Sequence, residues 1–190
     1  MHGIISVLNT PFTAENTIDF SGLRTNVSNA IDAGVAGFLV PALASEVGDL
    51  SPSERLEIVE TVINQVDGRV PIIGGAYAES QTERVRYANE LAQLGCDGVL
   101  ANVPFESHKQ FESDLTEIAD AQTGFIMLQD WDPSGTGLTT DLILHLFEST
   151  PQFNWLKIEV TPSGPKYTEI IEATERRLKV AGGWAVMQMI

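Results

Sequence analysis

Short apolar runs rich in β-branched residues alternate along this chain with longer stretches whose apolar positions recur every three or four residues. The runs fall at residues 3–8, 37–42, 70–76, 98–102, 124–130, 155–160 and 178–182. A strand joined to a parallel neighbour needs a long crossover, usually a helix, so the alternation predicts βαβ units on a parallel sheet. The punctuation agrees. Ser51-Pro52-Ser53-Glu54 and Ser80-Gln81-Thr82-Glu83 each read as a capping box that opens a helix, the first with proline at the first helical position. Ala33-Gly34-Val35-Ala36-Gly37-Phe38-Leu39 is echoed by Leu94-Gly95-Cys96-Asp97-Gly98-Val99-Leu100. In each, the first glycine suits a left-handed helix cap and the second opens the next strand. One unit is therefore repeated along the chain.

About seven βα units are countable, against the eight of a closed barrel. The expected fold is α/β: an incomplete (β/α)8 TIM barrel, forming one partial-barrel domain over residues 1–190. Residues 184–190 read as the start of a helix after strand seven. An end there would leave an open sheet edge and poor solubility. An open doubly wound sheet is the alternative, opposed by the lack of a Gly-x-Gly-x-x-Gly turn after any strand.

Lys157 stands out within Phe153-Asn154-Trp155-Leu156-Lys157-Ile158-Glu159-Val160. Strand alternation puts Leu156, Ile158 and Val160 on one face and Trp155, Lys157 and Glu159 on the other. A charged amine in such a run costs free energy unless it has a partner or a task. Desolvation lowers a lysine pKa and makes the amine a nucleophile toward carbonyl carbon, the chemistry of Schiff-base enzymes. The bland alternative is a structural ion pair. Glu159, two positions on, is placed either to pass protons to the carbinolamine or to pair with Lys157.

Charge and cysteine content narrow the classes. The formal net charge is -15, which disfavours nucleic acid and anionic membranes as partners. No apolar run reaches membrane-spanning length, and no signal-peptide pattern opens the chain. The single Cys96 excludes an internal disulfide and suggests a cytoplasmic setting. His2, His108 and His145 lack metal-ligand spacing, so no metal site is expected.

Several motifs in order resemble the dihydrodipicolinate synthase / N-acetylneuraminate lyase family of class I aldolase-like barrels. They are Gly3-Ile4-Ile5-Ser6-Val7-Leu8-Asn9-Thr10-Pro11-Phe12, then Ala42-Leu43-Ala44-Ser45-Glu46, Gly68-Arg69-Val70-Pro71-Ile72-Ile73-Gly74-Gly75, Lys157 itself, and Ala181-Gly182-Gly183. The resemblance covers nearly the whole chain, in a divergent and C-terminally truncated form. It implies that Lys157 is the Schiff-base lysine of strand six, that no cofactor is needed, and that the protein is a homo-oligomer, by family habit a tetramer. The departures are definite. The paired threonines that hold a keto-acid carboxylate correspond to Leu43 and Ala44, the strand-five tyrosine to Asp130, the nearby arginine to Gly135, and the aromatic pair after strand four to Phe105-Glu106.

The expected activity is a Schiff-base lyase, of aldolase or hydro-lyase type, acting on a small 2-keto acid or related carbonyl compound. Lys157 is the nucleophile, and Asp130 or Glu159 moves the proton. Ala44, Ser45 and Glu46 after strand two, and Gly182 and Gly183 after strand seven, are the candidate substrate contacts. Glycine there permits close backbone approach to a ligand. A non-catalytic or regulatory ligand-binding member of the same family is the second reading. A metal enzyme using Glu46, Asp130, Asp132 and Glu159 is the third.

Overall fold

The computed structural model describes residues 2–184, so the helix expected over 184–190 lies almost wholly outside the described residues. All seven expected strands form. They are β1 (Ile5–Val7), β2 (Gly37–Val40), β3 (Ile72–Gly75), β4 (Gly98–Ala101), β5 (Phe125–Asp132), β6 (Phe153–Val160) and β7 (Lys179–Gly182). Six α-helices alternate with them: α1 (Phe20–Asp32), α2 (Pro52–Val66), α3 (Gln81–Leu94), α4 (His108–Asp120), α5 (Thr140–Ser149) and α6 (Ser163–Ala173). The chain divides into two compact units, residues 1–99 and 100–190, and the division falls within β4.

In the first unit the strands are neighbours in chain order, β1 to β4. β1 and β2 run parallel with Ile5 opposite Gly37, and β2 and β3 with Phe38 opposite Ile72. Phe38, Leu39 and Val40 are buried on β2, and Leu23, Val27, Ile58, Val59 and Val62 on α1 and α2 are fully buried. A strand with every residue buried is the mark of a parallel sheet covered on both faces. The helix starts are those read from sequence. At α2, Glu54 N–H donates to Ser51 Oγ at 3.3 Å and Ser51 N–H to Glu54 Oε2 at 2.8 Å, a reciprocal box. At α3 the return bond differs: the Ser80 hydroxyl, not its backbone N–H, donates to Glu83 Oε2 at 2.9 Å. Gly34 and Gly95 follow or cap helices at φ +83° and +103°, the left-handed conformation expected of them.

In the second unit the order is β4 to β7, again sequential. β5 pairs parallel with β6, Gln129 opposite Lys157 and Trp131 opposite Glu159. β6 pairs parallel with β7, Ile158 opposite Gly182. Phe111, Leu115, Ile118 and Ala119 form the buried stripe of α4, and Leu142, Ile143 and Leu146 that of α5. Sequential order in each unit is that of singly wound βα repeats. A doubly wound sheet would reverse its order at a switch point, so that alternative is set aside.

Candidate active site

The second unit carries a polar network on one face of β5 and β6. Alternation along β6 puts Trp155, Lys157 and Glu159 on that face, while Leu156, Ile158 and Val160 are buried on the other. Parallel register then brings Gln129 and Trp131 of β5 to the same side. Lys157 Nζ lies 2.9 Å from Glu159 Oε2, and the two side chains keep only 11% and 8% of their exposure. The same Oε2 accepts from Gln129 Nε2 at 2.6 Å. Gln129 Oε1 accepts in turn from Asn102 Nδ2 at 3.2 Å, so an amide beyond β4 orients the amide of β5. A buried ion pair repays its desolvation only where further hydrogen bonds complete it, and Gln129 supplies one. The Tyr167 hydroxyl on α6 donates to Ile158 O at 3.2 Å. Burial, and then the Glu159 charge, push its pKa up to about 12.

Gly183 has a definite task in this network. A Cβ at that position would overlap Oε1 and Cδ of Glu159. In the structure the carboxylate of Glu159 makes that close approach. Gly182 lies in β7 opposite Ile158.

Asp130, expected beside Lys157, occupies the opposite face of β5. It is 2% exposed, and its Oδ2 meets Lys166 Nζ of α6 at 2.5 Å. Its Oδ1 accepts from Leu138 N–H at 2.9 Å. The position next to it, Gln129, is the one that faces Lys157. A one-residue offset in a strand moves a side chain to the other face, and here it separates the two roles. Asp132 accepts from Ser134 and Gly137 within its own loop. The Gly137 N–H, partly opposed by residual burial, holds its carboxyl below the usual range. The carboxylates of a metal site therefore do not gather. Asp130 goes to Lys166, Glu159 to Lys157 and Asp132 to its loop. Among the described residues no group of three or more His, Cys, Asp or Glu side chains is placed to hold an ion.

Ala44, Ser45 and Glu46 belong to the first unit. Ser45 is fully buried. Its hydroxyl donates to Leu8 O and accepts from Ala42 N–H, and its carbonyl accepts from the Thr10 hydroxyl at 2.7 Å. Ser45 thus ties the turn after β2 to the segment after β1. Ala44 and Glu46 are exposed, with Glu46 at φ +58° ending a short 3-10 turn over Leu43–Ser45. Sequence reading missed Gln129, Asn102, Tyr167 and Lys166. The alternation that placed Glu159 beside Lys157 could have found Gln129 only with the β5–β6 register in hand.

Sequential βα units on a parallel sheet define an α/β protein built from repeated βα units. The sequence model of the Dihydrodipicolinate synthetase family matches residues 1–184, and the chain belongs to that family. It is 30% identical over 178 residues to a 4-hydroxy-tetrahydrodipicolinate synthase of Methanococcus maripaludis strain C6, covering 91% of this chain and 61% of that protein. It is 34% identical over 141 residues to the enzyme of the same name from Methanopyrus kandleri, covering 72% and 47%. Among solved structures it resembles YagE, a prophage protein of the same family from E. coli K12 determined in complex with pyruvate. That likeness has a TM-score of 0.87 at 25% identity and covers 96% of this chain and 63% of YagE. The chain thus spans about three fifths of the length of the Methanococcus maripaludis enzyme and of YagE, and its match to the Methanopyrus kandleri enzyme about half of that protein. No helix among the described residues is long and apolar enough to cross a membrane.

Proposed function

We propose that the protein is an aldolase-type lyase that condenses Lys157 with a small 2-keto acid, and that Glu159 is its proton carrier. The observation that carries this reading is the contact between Lys157 Nζ and Glu159 Oε2 at 2.9 Å, held by Gln129 on the face away from Lys166. The ammonium passes a proton to the carboxylate, and the freed amine attacks the carbonyl carbon. The resulting carboxylic acid returns that proton to the carbinolamine oxygen, which leaves as water. An iminium then stands beside a carboxylate. Cleavage of the adjacent carbon–carbon bond, or removal of a proton from the neighbouring carbon by Glu159, sends the electron pair into the iminium and gives an enamine.

Three facts support the reading. The family contains 4-hydroxy-tetrahydrodipicolinate synthases, the sequence resemblance implies that Lys157 is the family's Schiff-base lysine, and among the described residues Glu159 is the carboxylate within ion-pair distance of that amine. Gln129 stands on the site face where the resemblance implies a tyrosine, and a carboxamide does not relay protons as a phenol does. Acid–base work therefore falls to Glu159. The test is borohydride reduction with pyruvate and a panel of larger 2-keto acids, read by intact mass. The expected result is one adduct, absent from Lys157→Ala and much reduced in Glu159→Gln. An adduct that survives Lys157→Ala, or none with any keto acid, overturns the reading.

A further inference from the structure

Lys166 is a buried cation in the first turn of α6, only 7% exposed. A helix N-terminus repels positive charge, so Lys166 is not there for the helix. Its ammonium has three donors. It donates to Thr136 O at 2.5 Å and Leu138 O at 2.6 Å, and its charge pairs with Asp130 Oδ2 at 2.5 Å. Leu138 is gripped from both ends, its N–H by Asp130 and its carbonyl by Lys166. The rest of the β5–α5 connection closes around this ring. Asp132 accepts from Gly137 N–H, and Gly135 O accepts from Thr161 N–H. Gly137 sits at φ +68°, where a Cβ would strike both Asp130 Oδ1 and Val160. Asp130 is also the residue between Gln129 and Trp131, which point to the other face beside Lys157 and Glu159.

We propose that Lys166 is a positioning residue for the Lys157 site: a tethered ammonium that shapes the connection after β5 and, through Asp130, holds Gln129 where its amide orients Glu159. The proposal rests on the function proposed above. It assigns Lys166 no contact with substrate. Without the ammonium, the buried Asp130 carboxylate would lose its counter-charge and the Thr136 and Leu138 carbonyls a donor, a costly state that β5 would relieve by shifting.

The test uses the whole chain. The rate of adduct formation at Lys157 with pyruvate and borohydride is followed across pH, and amide exchange over residues 132–139 is followed by mass spectrometry. Lys166→Met is expected to speed exchange in that segment. It should also slow adduct formation about tenfold or more, as small displacements of reacting groups do, and shift the pH profile, since Glu159 loses its orienting amide. Lys166→Cys should behave alike, and aminoethylation, which restores an ammonium at nearly lysine length, should reverse each change. Cys96 does not compete for the reagent, because burial pushes its thiol up to about 12. Asp130→Asn keeps the shape of the site, should give the same pattern, and decides the matter if the lysine variants fail to fold. Faster exchange with an unchanged rate and pH profile overturns the proposal, because Lys166 then only holds the loop. Unchanged exchange overturns it as well. A wild-type chain that never forms an adduct sinks the proposed function, while exchange and its aminoethyl rescue still decide the clamp.

Discussion

Two lysines in this chain illustrate how a buried ammonium can be used. Lys166 donates to two carbonyls and pairs with one buried carboxylate, which tethers it in place. Lys157 has one charged partner among the described residues, Glu159, the proton carrier in the function proposed above. Tyr167 reports on the same carboxylate. Its pKa is raised from 10.0 to about 12, by burial first and the Glu159 charge second. Glu159→Gln removes only the second cause, so Tyr167 should ionise at lower pH than in the wild type yet still above the ordinary tyrosine value. Tyrosinate absorbance, with Tyr167→Phe to identify the residue, measures this. An unmoved titration would show that Glu159 does not carry its charge there. Because the folded value is the higher one, Tyr167 contributes stability that is fully present below pH 10.0 and is lost as pH rises toward about 12.

At the scale of elements, local rules account for much of the layout. The α2 box was legible in Ser51-Pro52-Ser53-Glu54 because capping is satisfied within four residues of chain. Ser51→Ala should therefore cost about 1 kcal/mol, read as a lower denaturant midpoint with an unchanged slope. Strand existence was legible too, but strand parity was not. Ile126, Met127 and Leu128 are all buried, so β5 shows no alternation to read, and its register with β6 shifts between Ile126 and Met127. That is why Asp130 was matched to the family's tyrosine while Gln129 faces Lys157. Lys166 was not legible for a different reason: a lysine in a helix is ordinarily a solvated residue, and only the loop folding over it gives it partners.

At the scale of the whole molecule, charge dominates. A formal net charge of -15 makes the compact state repel itself, and salt screens that repulsion over roughly 10 Å at 0.1 M. Thermal midpoints should rise as neutral salt is added from low ionic strength, measured by calorimetry with chloride and sulfate compared at equal ionic strength. A midpoint that falls instead would mean that attractive pairs such as Arg177–Glu148 and Arg86–Glu90 outweigh the net repulsion. The amino-acid order alone determined the sequence of βα repeats, the helix caps and the singular status of Lys157, because periodicity, capping and a charge in an apolar strand are local properties. Tertiary structure alone decided that Gln129 rather than Asp130 lies on the Lys157 face, that Lys166 pairs with Asp130, and that Gly183 makes room for Glu159. Those choices depend on which strand lies beside which, and in what register, and the parity of a strand whose Ile126, Met127 and Leu128 are all buried leaves little trace in its own residues.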